Sequence, residues 1–208
     1  MSLARVERHA LADTARAVGP DAPTLCGDWT ARDLLAHLLV REHSPLGSAG
    51  IVLPPLAGLT GRAMRRTATE DFDVLVDRFR NPRLTPVALK ALDDLVNPVE
   101  FFVHHEDLRR AQPGWEPRKL TRHDHDVLWN MTRLMGRGLV ASAKVPVRLE
   151  RTDTHETATL RRGDEPVTVH GLPGELVLFL HGRDQTRGVD LTGPLDRIAR
   201  LRGADRGV

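Results

Sequence analysis

The hydrophobic period of this chain changes once, near Lys144, and that change limits what the chain can fold into. Before it, apolar residues recur three and four apart, the spacing of one face of an α-helix. After Pro146, Val147-Arg148-Leu149-Glu150-Arg151 alternates apolar with charged, as a half-buried strand does. Residues 157–161 and 166–170 repeat the alternation around an Arg162-Gly163-Asp164 turn. The expectation is a mainly α protein: a helical first domain over residues 1–144, then a small α/β domain over residues 145–208.

Punctuation places the helices. Residues 2–18 carry Leu3, Val6, Ala10, Leu11, Ala17 and Val18 at helical spacing, and Gly19-Pro20 stops them. Thr30 is an N-cap for a second helix over residues 31–42, with Asp33 as its acidic partner and Leu34, Leu35, Leu38 and Leu39 as its buried side. Residues 44–67 are rich in Gly and Pro and read as a long connection with a short helix over 56–64. Residues 70–80 form an amphipathic helix through Phe72, Leu75, Val76 and Phe79. Residues 86–95 are helical, and a further helix starts at Asn97 or continues through Pro98. Thr121 caps a helix running to about residue 143, with Val127, Leu128, Met131, Leu134 and Met135 as its apolar set. In the second domain, Pro173-Gly174-Glu175 opens a short apolar helix, residues 189–191 form a last strand and 194–201 a last helix. Residues 202–208 read as a disordered tail.

Composition narrows the class. The 208 residues can bury a proper core, and a formal charge of +2 gives no phosphate-binding stripe, so no nucleic-acid partner is expected. Cys26 is the only cysteine, which rules out an internal disulfide and fits a reducing compartment. The first residues lack a signal-peptide apolar core and no apolar run has the length of a membrane span. A cytoplasmic protein without a membrane partner is the expectation.

Glu100-Phe101-Phe102-Val103-His104 carries the chemistry. Residues four apart on a helix share a face, so Glu100 and His104 point the same way among apolar neighbours. A carboxylate and an imidazole there are costly to bury without a partner, and a divalent metal binds both. The same stretch also reads as a helix start, with Asn97 as N-cap, Pro98 at the first helical position and Glu100 closing a capping box. His37 sits among the leucines of the second helix, where it is either a hydrogen-bonded core histidine or a third metal ligand. Asp33, one turn before His37, and Asp107 are candidates to orient ligand histidines. Arg109 and Arg110 either meet an anion or end the helix in solvent, and His123 and His125 read as solvated first-turn residues. Cys26 reads as a buried residue at a helix start rather than a nucleophile.

Two of these stretches carry a family likeness. The string Leu25-Cys26-Gly27-Asp28-Trp29-Thr30-Ala31-Arg32-Asp33-Leu34-Leu35-Ala36-His37-Leu38 resembles the start of the second helix in mycothiol-dependent maleylpyruvate isomerase-like proteins, within the DinB-like metal-binding superfamily. Val99-Glu100-Phe101-Phe102-Val103-His104-His105-Glu106-Asp107-Leu108 resembles that family's Glu-x-x-x-His segment. More loosely, Pro173-Gly174-Glu175-Leu176 with Gly182-Arg183 and Val189 resembles its C-terminal domain, which is similar to sterol carrier proteins.

The resemblance implies a four-helix bundle holding a divalent metal, zinc foremost, on His37, Glu100 and His104. It implies an enzyme in which a metal-activated thiol, mycothiol, attacks a small electrophilic substrate, as a transferase or isomerase. The alternative is a non-catalytic metal-binding or sensor protein on the same scaffold. The resemblance assigns no thiol-binding residue.

Overall fold

The computed structural model describes residues 2–43, 57–82 and 87–204, the side chains of 43, 57 and 87–96 excepted. Residues 44–56, most of the expected connection over 44–67, therefore lie outside the described residues, as do the last four residues of the tail, 205–208. The described chain is mainly helical, with eight helices and one four-stranded sheet. It divides into two compact units, Met1–Trp115 and Glu116–Val208.

The first unit holds α1 (Leu3–Val18), α2 (Ala31–His43), α3 (Ala57–Thr67), α4 (Phe72–Arg80) and α5 (Val87–Arg110). Local chemistry starts these helices where the sequence says. The Asp33 carboxylate accepts from the Thr30 N–H at 3.0 Å and hydroxyl at 2.7 Å, and the Asp33 N–H returns a bond to the Thr30 hydroxyl at 3.3 Å. Asp71 caps α4 through the N–H groups of Asp73 and Val74. The core is drawn from α1, α2, α4 and α5, with Leu11, Leu34, Leu38, Phe79, Phe101 and Leu108 fully enclosed.

Helix α5 runs through Pro98 rather than starting at Asn97. Proline inside a helix loses one backbone hydrogen bond and crowds the preceding turn, at about 3 kcal/mol. Burial of Val99, Phe101, Phe102, Val103 and Leu108 along the same helix outweighs that cost. Asn97 is then no cap; its side-chain oxygen accepts from Arg41 Nη1 at 2.7 Å.

The sequence pattern also hides a buried ion pair. Arg8 on α1 is 7 % exposed and pairs with both oxygens of Glu42 on α2. Its Nη1 also donates to the Phe79 carbonyl of α4 at 2.7 Å, and its guanidinium lies 4.5 Å from the Phe101 ring of α5. One cation thus touches all four core helices. Val6, expected on the buried face of α1, is 41 % exposed instead, because Glu7 and Arg8 take the inner positions.

The second unit begins with α6 (Arg122–Leu139), opened by a Thr121/Asp124 capping box. Then come β1 (Val147–Arg151), β2 (Thr157–Arg161), β3 (Val167–Gly171), α7 (Pro173–Leu180), β4 (Asp190–Thr192) and α8 (Leu195–Arg202). The strands lie in the order β2-β1-β3-β4, with β1 antiparallel to β2, parallel to β3, and β3 antiparallel to β4. Val147, Leu149, Val167 and Val169 face a core with Leu176 and Leu180 of α7 and Trp129 of α6.

Helix α6 packs on α7 and on β2, so it belongs to this unit although its sequence period matches the helices before it. The contacts therefore divide at 115/116, where the change of period near Lys144 places the boundary at 144/145. Trp129 and Gly136 of α6 meet the sheet, and periodicity alone says only that an apolar stripe must be covered by something.

Candidate metal centre

His37 comes from α2, and Glu100 and His104 from one face of α5. The structure brings them together: His104 Nε2 lies 3.3 Å and His37 Nε2 3.6 Å from the same Glu100 oxygen, Oε1. One donor atom from each residue lies within 4.8 Å of the other two. Ligand atoms about 2.1 Å from a tetrahedral zinc sit roughly 3.4 Å apart, so these spacings suit the ion without large movement.

His104 is the pivot between two donor groups. Its Nε2 faces Glu100 and His37, whereas its Nδ1 lies 3.0 Å from Asp107 Oδ2 and 3.7 Å from Cys26 Sγ. Cys26, His104 and Asp107 also form a close cluster of ligand-type groups. Chemistry separates the two. Asp107 is fully buried, and its Oδ2 accepts from His104 Nδ1–H and from the Cys26 thiol at 3.0 Å. An imidazole that donates from Nδ1 to a carboxylate keeps its Nε2 lone pair for a metal, the usual arrangement behind a ligand histidine. His37, Glu100 and His104 are thus the set whose donor atoms converge, and Cys26 and Asp107 meet the opposite nitrogen of His104.

The charges agree with an interacting cluster. Burial pushes the Glu100 carboxyl upward, but hydrogen bonds from His104 and His37, with the charges of His104 and Arg41, hold it well below the usual carboxylate range. Burial opposes charge on His104, yet its bonds to Asp107, Cys26 and Glu100 push it well above an ordinary imidazole. Arg41, one turn beyond His37, places Nε 3.4 Å from Glu100 Oε1. Trp29 closes one side, its ring 5.0 Å from the His37 ring.

Several neighbours stand elsewhere than expected. Asp33 serves the helix cap, its carboxylate bound to Thr30 rather than to His37. Arg110 is buried and Arg109 half-buried: both bind the buried Glu106, at 2.6 and 2.9 Å, and Arg110 stacks on Trp115. His123 is exposed, but His125 is half-buried, and its Nδ1 has no partner among the described residues. Cys26 is half-buried, on a loop tied to α5 by the Leu25 N–H bond to the Asp107 carbonyl at 3.1 Å.

The sequence turns His105 about 100° from His104, off the face of Glu100, as a boundary or supporting residue, but does not name its partners. His105 is 3 % exposed; its Nδ1 lies 2.8 Å from Glu7 Oε2 and its Nε2 2.9 Å from Thr14 Oγ1, joining α5 to α1. Naming Glu7 and Thr14 needs knowledge of which α1 residues face inward.

No family model and no curated protein matches this chain. Among solved structures, the crystal structure of the mycothiol-dependent maleylpyruvate isomerase is similar, with a TM-score of 0.64 over 91 % of this chain and 90 % of that one. No helix among the described residues is long and apolar enough to cross a membrane. At 14 % identity, the likeness to the isomerase establishes what the two chains share, which is the fold.

Proposed function

We propose that this protein binds a divalent metal, zinc foremost, through His37, Glu100 and His104, and presents it to a small thiol such as mycothiol. The observation that carries the proposal is the convergence of the three donor atoms with His104 held in place by Asp107. The fold likeness to a mycothiol-dependent isomerase supports the thiol. On this reading the first unit is a DinB-like bundle and the second resembles the sterol-carrier-like domain of such proteins.

Three protein ligands leave a position open for a further one. Bound there, a metal would supply Lewis acidity and favour the thiolate form of an entering thiol for attack on a small electrophile. The chain's own residues do the positioning. Asp107 keeps the His104 proton on Nδ1 and so keeps Nε2 available. Glu100 contributes the single negative charge of the ligand set. Arg41 adds a positive charge beside it, which favours an anion such as a thiolate in the remaining space.

The test is metal analysis followed by spectroscopy. His37→Ala, Glu100→Ala and His104→Ala should each lose most of the metal while staying folded, and stoichiometric metal in all three would reject the site. Asp107→Asn should weaken metal binding by about 10- to 100-fold, the usual effect of removing a ligand's supporting carboxylate. In cobalt-substituted protein, mycothiol entering the coordination sphere should add a sulfur-to-cobalt charge-transfer band. Retained cobalt with no band would leave the metal site standing and favour the binding or sensor role.

A further inference from the structure

A second feature lies wholly within the second unit. A groove of about 850 Å³ runs between α6 and β2. Its helical wall is Asn130, Arg133, Leu134 and Arg137, spaced as one stripe of a helix. Its other wall is the unbroken run of residues 157–160, with Arg162 beyond. Side chains of a strand alternate between faces, so four successive residues line one groove only if it follows the strand's edge. β2 is terminal in the sheet order, with β1 as its one neighbour. One side of its backbone therefore offers N–H and C=O groups without a ladder partner.

The lining carries charge of one sign only: three arginines and no acid. Arg133 shares Glu156 at 3.2 Å, both about half exposed. Arg137 and Arg162 are exposed and have no ion-pair partner among the described residues. Leu134, expected in the core, is 61 % exposed and lies among them.

We propose that this groove receives an extended acidic segment of another protein. The segment adds to the free edge of β2, sets carboxylates against Arg133, Arg137 and Arg162, and rests an apolar side chain on Leu134. A helix stripe beside an open strand edge is the geometry of strand addition, in which main-chain bonds give affinity and the flanking helix gives selectivity. A small free anion would use the arginines but leave the strand edge and Leu134 idle. Five residues of β2 span about 16 Å, so a segment of about five residues fills the edge.

The probe is a fluorescent five-residue peptide alternating glutamate and valine, added to the full chain, with its lysine/valine counterpart as control. The acidic peptide should bind saturably and the basic one should not. Arg137→Glu and Arg162→Glu should each weaken binding at least tenfold. Arg200→Glu, which changes the same charge on α8 outside the groove, should change it less than twofold. Leu134→Ala should weaken it several-fold. The peptide carrying N-methyl groups at odd or at even residues tests the strand edge without touching the protein's fold, and at least one form should bind ten times more weakly. No saturable binding would overturn the proposal. So would equal effects of Arg137→Glu and Arg200→Glu, undiminished binding of both N-methylated peptides, or full competition by inorganic phosphate or glutarate at matched charge.

Discussion

Two adjacent histidines do opposite work in α5, and substitution separates them. His104→Ala removes a proposed ligand. His105→Ala removes a partner of Glu7 and of Thr14, two contacts that join α5 to α1. Losing a hydrogen bond to a buried charged group costs about 1.5–3 kcal/mol. His105→Ala should therefore lower the denaturation midpoint yet keep its metal, and loss of metal at unchanged stability would reverse the assignment. Protonation gives a second prediction. In metal-free protein, His104 sits above its unfolded value, so its contribution to stability is complete below about pH 6.5 and is lost as pH rises through the raised folded value. Glu100 sits below its unfolded value, so its contribution holds above about pH 4.3 and is lost as pH falls through the depressed one. A metal on Nε2 must displace the His104 proton, so zinc should raise the thermal midpoint more at pH 8 than at pH 6. An equal gain at both would show that His104 is not a ligand. At this scale the shared face of Glu100 and His104 was legible from their spacing, and the nearness of His37 to them only through family likeness, because a histidine among leucines looks the same as a core residue or a proposed ligand. The buried pairs of Glu7 and Arg8 were not legible: two charged residues in the first helix read as solvent-facing until the partners Glu42 and His105 are placed in space.

Elements were legible where local chemistry sets them. The Thr30/Asp33 and Thr121/Asp124 caps, the Arg162-Gly163-Asp164 turn and the alternation in β1 all act within a few residues, and each stands where the sequence puts it. The passage of α5 through Pro98, which the sequence leaves open, and the outward face of Leu134 depend on packing instead, and periodicity misjudged the second. Gly136 shows packing at its tightest. A Cβ there would lie 2.9 Å from both Leu160 methyl carbons, and Leu160 is itself buried. Gly136→Val should overpack α6 against β2 and cost about 1–3 kcal/mol in urea unfolding. Unchanged stability would mean that the helix is free to lift from the strand.

For the whole molecule, the change of period at Pro146 marks where strands begin, and the contacts mark which residues fold together. The two differ by one helix. Residues 116–208 expressed alone should fold, because α6 supplies Trp129 to the sheet core. Residues 145–208 should aggregate, since they keep the sheet and lose that cover. Residues 1–115 should be helical and retain metal, because all three proposed ligands lie within them. Circular dichroism and sedimentation of the three fragments decide this, and a well-folded 145–208 would return the boundary to the change of period.

The single guanidinium of Arg8 has a consequence for motion. It is bound at once to Glu42 of α2, the Phe79 carbonyl of α4 and the Phe101 ring of α5. None of these helices can peel away alone without stranding a buried charge, so partial openings are as costly as general ones. Amide exchange in α1, α2, α4 and the second half of α5 should then converge on one slow rate. The helices bearing His37 and His104 would share a single clock, and a metal held between them would feel no independent breathing of its walls.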